Sequence, residues 1–339
     1  MKQVSAITIY NMGFFKMLFT GKEETEEEKK ENKNKRDFDI LKYDGIQALK
    51  IGKHQYAIAC LQRALNIEDD LEARTYLATA FTMTYSFDNA IEQYEILSES
   101  HPETPAYPIA MAEIHYIRED YTEAVNCCNK ALNINPELSM PHLMLAKCAN
   151  AQGDKINAIA ECTKAISAKE DNYNAYLFRA QVLNSIMLHA DAEKDIDFLL
   201  EKTDCSDDIL LMKATISASL NKQEEAIKYY NMVIEANPFI SQAYIGLSEI
   251  YAMNGNNDEA IKTLDDGIEQ NENSSDLYNT RGKLHYLTGN KEKATEDLKR
   301  ALELSPEEGK NLNGEFSNIK DEMVKAYNKL NPYQFNIHI

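Results

Sequence analysis

The chain of 339 residues is short of the residue sets from which catalytic and metal centres are built. Its six cysteines are Cys60, Cys127, Cys128, Cys148, Cys162 and Cys205, and none forms a Cys-x-x-Cys pair. That spacing argues against a zinc ribbon or a thioredoxin-like site and suits a reducing compartment. No HExxH, GxSxG, Walker or GxGxxG arrangement occurs, so the patterns that hold zinc, expose a nucleophile or cradle phosphate are missing. Adjacent carboxylates such as Asp207–Asp208 and Asp265–Asp266 splay apart on a helix and read as solvated surface. Positive charge is the minority: 36 Lys and Arg stand against 55 Asp and Glu, a net charge of −19 with no basic stripe. This argues against non-specific binding to nucleic acid or anionic lipid. Long apolar runs are also lacking. Residues 1–21 hold Phe14, Phe15, Met17, Leu18 and Phe19, but Ser5, Thr8, Asn11 and Lys16 interrupt them. Neither a membrane span nor a cleaved signal peptide is expected there. The expectation is therefore a chain that is no enzyme and carries no cofactor and no metal.

What the chain has in abundance is a period. Ala57 and Ala90 stand 33 residues apart, and Ala124, Ala158, Ala192, Ala226, Ala260 and Ala294 follow at intervals of 34. Twelve residues before these marks come Gly45, Ala78, Ala112, Ala146, Ala180, Ala214, Ser248 and Gly282. Seven residues after them come Ala64, Leu97, Ala131, Ala165, Leu199, Val233, Gly267 and Ala301. Gly52, Gly153, Gly255 and Gly289 punctuate the middle of units, and Pro102, Pro136, Pro238 and Pro306 close four of them. Asp69, Glu170, Asp204 and Glu272 stand at the other ends. Fixed self-similarity of this length signals one supersecondary unit stacked on itself. Within a unit the apolar spacing is helical, as in Ala57, Leu61 and Ala64, so each reads as helix, turn, helix, break. Small residues at the marks let two helices approach, and Tyr94, Tyr230, Tyr244, Tyr251 and Tyr278 fill the space between. Proline ends the second helix because it lacks an amide donor and clashes with the preceding turn. Cys128 and Cys162 take the place of Tyr94 and Tyr230 in the register. His115 and His285 take that of Phe81 and Tyr251, and His142 that of Tyr176, Tyr244 and Tyr278. All five read as packing residues.

This pattern resembles the tetratricopeptide repeat, with its aromatic fourth and eleventh positions, Leu-Gly at seven and eight, alanines at twenty and twenty-seven, and proline at thirty-two. Repeat seven matches through Tyr244, Leu247, Tyr251, Gly255 and Ala260, and repeat eight through Tyr278, Gly282, Gly289, Ala294, Ala301 and Pro306. The resemblance covers about residues 38–306 as eight repeats. Repeats five and six are the weakest, with Met187 and Asn221 where a turn glycine is usual. It implies an all-α, right-handed superhelical solenoid, whose units each contact only their neighbours. Phe316, Ile319, Met323, Tyr327 and Leu330 follow helical spacing, so 307–339 is expected to hold a C-terminal capping helix. Its polar face would be Asp321, Glu322, Lys325 and Lys329. Residues 1–37 are expected to be a disordered apolar segment and charged linker, the run Lys22–Asp37 being a solvated tether or a frayed helix.

The resemblance also implies a place for function. In that family the first helix of each repeat lines a concave groove. Carried over residue by residue, the groove presents Thr75, Thr79 and Thr82; then Ile109, Glu113 and Tyr116; then Leu143, Lys147 and Asn150. Leu177, Gln181 and Asn184 follow, then Leu211 and Thr215, Ile245 and Glu249, and Asn279, Lys283 and Tyr286. Aliphatic positions beside amides and hydroxyls suit an extended segment or a helix laid in a groove. Repeats three to five, with Tyr116, Lys147, Asn150, Gln181 and Asn184, are the best site. The expected role is a non-catalytic, cytoplasmic protein–protein interaction scaffold with a protein or peptide partner and no nucleic acid. The clamp for acidic chaperone tails is absent: Lys42 is in place, but Ile46, Tyr76, Ala106 and Ala110 stand where its Asn, Lys and Arg belong. The alternative is a membrane-associated assembly factor or accessory subunit, peripheral at the cytoplasmic membrane, docking weakly through residues 12–21.

Overall fold

A computed structural model describes residues 25–204 and 206–305. Among them are sixteen α-helices, and each repeat contributes a first (A) and a second (B) helix. Repeat one is α1 (Glu26–Lys50) and α2 (His54–Leu65), repeat two α3 (Leu71–Met83) and α4 (Phe87–Ser100), repeat three α5 (Ala106–Ile117) and α6 (Tyr121–Ile134). Repeat four is α7 (Ser139–Ala151) and α8 (Lys155–Ala168), repeat five α9 (Tyr173–Ser185) and α10 (His189–Lys202), repeat six α11 (Asp207–Ser219) and α12 (Gln223–Ala236). Repeats seven and eight are α13 (Ser241–Met253) with α14 (Asn257–Gln270), and α15 (Ser275–Leu287) with α16 (Lys291–Leu304). The chain divides into two compact units, Met1–Gln152 and Gly153–Ile339, so the first holds α1–α7 and the second α8–α16. The expected C-terminal cap and the apolar stretch at residues 12–21 lie outside the described residues.

The three small-residue marks are the seams of the packing. All eight alanines of the central mark are buried, from Ala57 at 0% exposure to Ala294 at 2%. So are the residues twelve before and seven after them, Gly45, Gly267 and Gly282 included. A side chain at Gly45 would meet Leu61 Cγ at 2.6 Å, which shows how close the A and B helices of one repeat lie. Within each unit every B helix also packs on the A helix that follows it. Consecutive A helices touch each other as well, α1 on α3 and α5 on α7 in the first unit, and α9, α11, α13 and α15 in succession in the second. The A helices of the second unit thus form one shared face, and in the first unit they meet in two pairs.

The turn from A to B helix repeats one device eight times. The backbone is left-handed at Gly52, Tyr85, Glu119, Gly153, Met187, Asn221, Gly255 and Gly289. In the Gly turn, Lys53 N–H donates to Ala48 O at 2.8 Å; in the non-glycine turns, Ser86 N–H donates to Phe81 O and Leu188 N–H to Leu183 O, both at 2.9 Å. These bonds close the A helix on itself, and glycine is favoured only because it reaches positive φ without a Cβ clash. Four repeats hold the same geometry with a side chain present.

The charged run near the start is helical from Glu26 onward. Thr25 caps α1 through a capping box in which Glu28 N–H donates to the Thr25 hydroxyl and Thr25 N–H donates to the Glu28 carboxylate at 2.9 Å. Three glutamates follow in the first turn, where they complement the positive helix end. The α1 helix therefore runs 25 residues, against 12 or 13 in the other A helices.

Candidate partner-binding faces

Each A helix exposes the same three positions, spaced i, i+4 and i+7, which fall on one side of a helix. The first stripe is Thr75, Ile109 and Leu143 in the first unit, and Leu177, Leu211, Ile245 and Asn279 in the second. Four residues on come Thr79, Glu113 and Lys147, then Gln181, Thr215, Glu249 and Lys283; three further come Thr82, Tyr116 and Asn150, then Asn184 and Tyr286. Glu113, Gln181 and Glu249 are exposed, and most of the others are half-buried. Leu143 is different: at 3% exposure it belongs to the core and offers a partner no apolar pocket.

Bonding within the helices narrows what these side chains can do. The hydroxyls of Thr75, Thr79, Thr82 and Thr215 donate to carbonyls four residues back, at 2.8 to 3.0 Å, so toward a partner they serve as acceptors. Asn184 Oδ1 lies 2.7 Å from His189 Nδ1. Tyr116 packs on Tyr121 with ring centroids 5.7 Å apart, and burial raises its phenol above the usual value. The carboxyls of Glu113 and Glu249 are also raised, by the surrounding protein, with Lys147 and Lys283 pulling each down in turn. Both carboxylates still meet solvent, so their shift reflects low-dielectric walls rather than exclusion from water. Glu113 with Lys147 and Glu249 with Lys283 leave each face neutral within a strongly acidic chain.

The histidines and cysteines sit among packing residues. His285 is buried 4.0 Å from Asp297, and its pKa is lowered, chiefly by burial. Cys127, Cys128, Cys148 and Cys162 are buried, and burial pushes Cys148 up to about 11, far from a reactive thiolate. Among the described residues no group of three or more His, Cys, Asp or Glu side chains is placed to hold a metal ion.

One set of polar residues escaped the sequence reading. At the position held by Leu77, Met111, Leu145 and Leu247, three repeats of the second unit carry Arg179, Lys213 and Arg281. Arg179 forks onto Asp195 at 2.7 and 2.8 Å and donates to Thr163 at 3.0 Å. Arg281 forks onto Asp297 at 2.7 and 2.9 Å and reaches back to Asp265. Lys213, 3% exposed, bonds Glu193 at 2.9 Å and Asp197 at 2.7 Å, with Glu225 at 3.4 Å. Each cation thus ties the B helix of the preceding repeat to that of its own. The signal was legible: a charge at a core position of the period, matched by an acid at another.

Three stretches of the sequence match the tetratricopeptide repeat family, residues 109–138, 211–276 and 275–308. They fall on the helix pairs of repeats three, six with seven, and eight. The chain is a tetratricopeptide repeat protein. No curated protein matches it in sequence. Among solved structures, a tetratricopeptide repeat protein from Parabacteroides merdae is 19% identical with a TM-score of 0.58, covering 75% of this chain and 96% of its own. The pilF protein of Pseudomonas aeruginosa is 18% identical with a TM-score of 0.53, over 65% of this chain and 99% of its own. Cut9 with Hcn1, from an APC/C hetero-tetramer, is 15% identical with a TM-score of 0.55, over 85% of this chain and 55% of its own. At these identities the likeness is one of fold. Together they make this repeat protein an all-α solenoid, and no helix among the described residues is long and apolar enough to cross a membrane.

Proposed function

We propose that this tetratricopeptide repeat protein is a non-catalytic scaffold that holds a peptide or helix of a protein partner on the exposed A-helix faces. The observation that carries the reading is the register. The same three helix positions recur on A helices that touch, α5 with α7 in the first unit and α9, α11, α13 and α15 in succession in the second, forming rows of aliphatic, amide and hydroxyl groups rather than one convergent polar pocket. Such rows suit a ligand that extends across repeats. In the first unit the anchors are Ile109, Tyr116, Lys147 and Asn150; in the second they are Leu177, Gln181, Asn184, Leu211 and Ile245. The neutrality of both faces selects a partner segment that is apolar and hydrogen-bonding, not one held by charge. Nucleic acid finds no basic stripe here, and the low-charge rows leave no clamp for an acidic chaperone tail.

The test is capture of partners from the native cell by wild type, by Tyr116→Ala/Asn150→Ala and by Gln181→Ala/Leu211→Ala, with helicity measured in parallel. The expected outcome is a specific partner lost from a variant that keeps its helicity and thermal midpoint. Partners retained by both folded variants would move binding off the A-helix faces.

A further inference from the structure

The middle stripe of the A helices carries an order of its own. From repeat two to repeat eight it reads Thr79, Glu113, Lys147, Gln181, Thr215, Glu249 and Lys283. Shifted by one, two or three repeats it matches itself nowhere. Shifted by four it superposes Thr79 on Thr215, Glu113 on Glu249 and Lys147 on Lys283, each 136 residues apart. Stacking asks only for the period of a single repeat, because each repeat contacts only its neighbours, so packing supplies no reason for a period of four. The boundary between the two compact units separates the copies: the first triad lies wholly in one unit and the second wholly in the other.

The two triads match in surroundings as well as in residue type. In each, the threonine is half-buried, the glutamate exposed and the lysine half-buried. Each threonine hydroxyl donates to the carbonyl four residues back at 2.9 Å, which leaves its oxygen as an acceptor. Each glutamate and its lysine stand on A helices that touch, α5 with α7 and α13 with α15. Each glutamate carboxyl is raised by burial and lowered by that lysine, so the two pairs share one electrostatic setting. One turn before each glutamate stands a half-buried isoleucine, Ile109 and Ile245. The third stripe does not repeat: Tyr116 corresponds to Ala252 and Asn150 to Tyr286. The copied set is thus an acceptor, a carboxylate, an ammonium and an apolar side chain. Its charges cancel, and a peptide group answers it, with N–H toward the glutamate and C=O toward the lysine. An apolar side chain of the same segment meets the isoleucine.

We propose, building on the A-helix reading of the function, that each unit carries one copy of the same site, so that one chain takes two copies of the same short, uncharged peptide segment. The probe is a synthetic peptide selected on the full-length protein from a random-sequence display library. Titration calorimetry is expected to give two peptides per wild-type chain. Glu113→Ala with Lys147→Ala is expected to leave one, Glu249→Ala with Lys283→Ala to leave one, and all four substitutions none, with circular dichroism unchanged. The wild-type count needs no substitution, so it decides the point even where a variant unfolds. One peptide per wild-type chain would overturn the duplication, and the variants then separate two cases. Loss caused by one pair alone means a single site, with the A-helix reading intact; loss caused by either pair means one ligand held by both units. Binding indifferent to both pairs, or a library that yields no peptide, would overturn the A-helix reading itself.

Discussion

At the scale of single residues, the A–B turns show a cost carried openly. Met187 holds φ at 63° with its side chain 64% exposed, so nothing in the packing compensates the left-handed strain. A side chain in that region costs about 1–2 kcal/mol, while glycine loses part of the gain through its freer unfolded chain. Met187→Gly is expected to stabilise the protein by about 1 kcal/mol, read as a higher urea midpoint. The raised carboxyl of Glu249 gives a second residue-scale expectation. Its folded pKa lies above the unfolded one, so the folded protein binds more protons between the two values and loses stability as pH rises through them. Glu249→Gln should therefore raise the thermal midpoint at neutral pH. The gain should fade as the pH drops through the ordinary glutamate range, and a gain independent of pH would contradict this account.

At the scale of helices, the second unit is held by two kinds of seam. One is the small-residue contact shared by every repeat; the other is the cation that bonds two B helices. Asp195 is 5% exposed and forked by Arg179, so Asp195→Ala leaves a half-buried guanidinium without its carboxylate, a loss of about 1–3 kcal/mol. Adding Arg179→Leu restores the side chain that Leu145 and Leu247 supply in repeats four and seven. The double variant is expected to recover most of the stability, since a buried pair replaced by apolar groups is often neutral. Chemical denaturation of the two singles and the double measures the coupling. A double variant no better than Asp195→Ala would mean that the pair defines the local packing.

At the scale of the whole molecule, the net charge of −19 is carried away from the rows proposed to bind. Charge of one sign keeps a protein soluble and repels acidic partners at long range, while the neutral rows leave short-range contacts to set affinity. Binding of a neutral partner segment is therefore expected to weaken little between low and high salt, because screening acts on exposed charges beyond a Debye length of about 8–10 Å. A steep loss of affinity with salt, measured by titration calorimetry, would place the partner on the acidic surface instead.

The period of 34 and the repeat composition were enough to specify the helix pairs, because a stacked unit must bury the same small residues at the same places every time. The family resemblance assigned Thr79, Glu113, Gln181 and Glu249 to the groove positions of the A helices; Glu113, Gln181 and Glu249 are exposed and Thr79 is half-buried. What the period could not tell was which of its positions a neighbour closes. Leu143 and Leu177 hold the same position of the period, yet Leu143 is core and Leu177 is half-buried. Arg179 and Lys213 stand at a core position of the period, but which groups meet them depends on the fold: Asp195 and Thr163 for Arg179, and acids of two B helices for Lys213. Repeats five and six read as weak for want of a turn glycine, yet Met187 and Asn221, like Tyr85 and Glu119, hold the same backbone as the glycines. Local pattern determines the helix and its face; burial, pairing and strain depend on residues that are distant in the chain and meet only when the repeats stack.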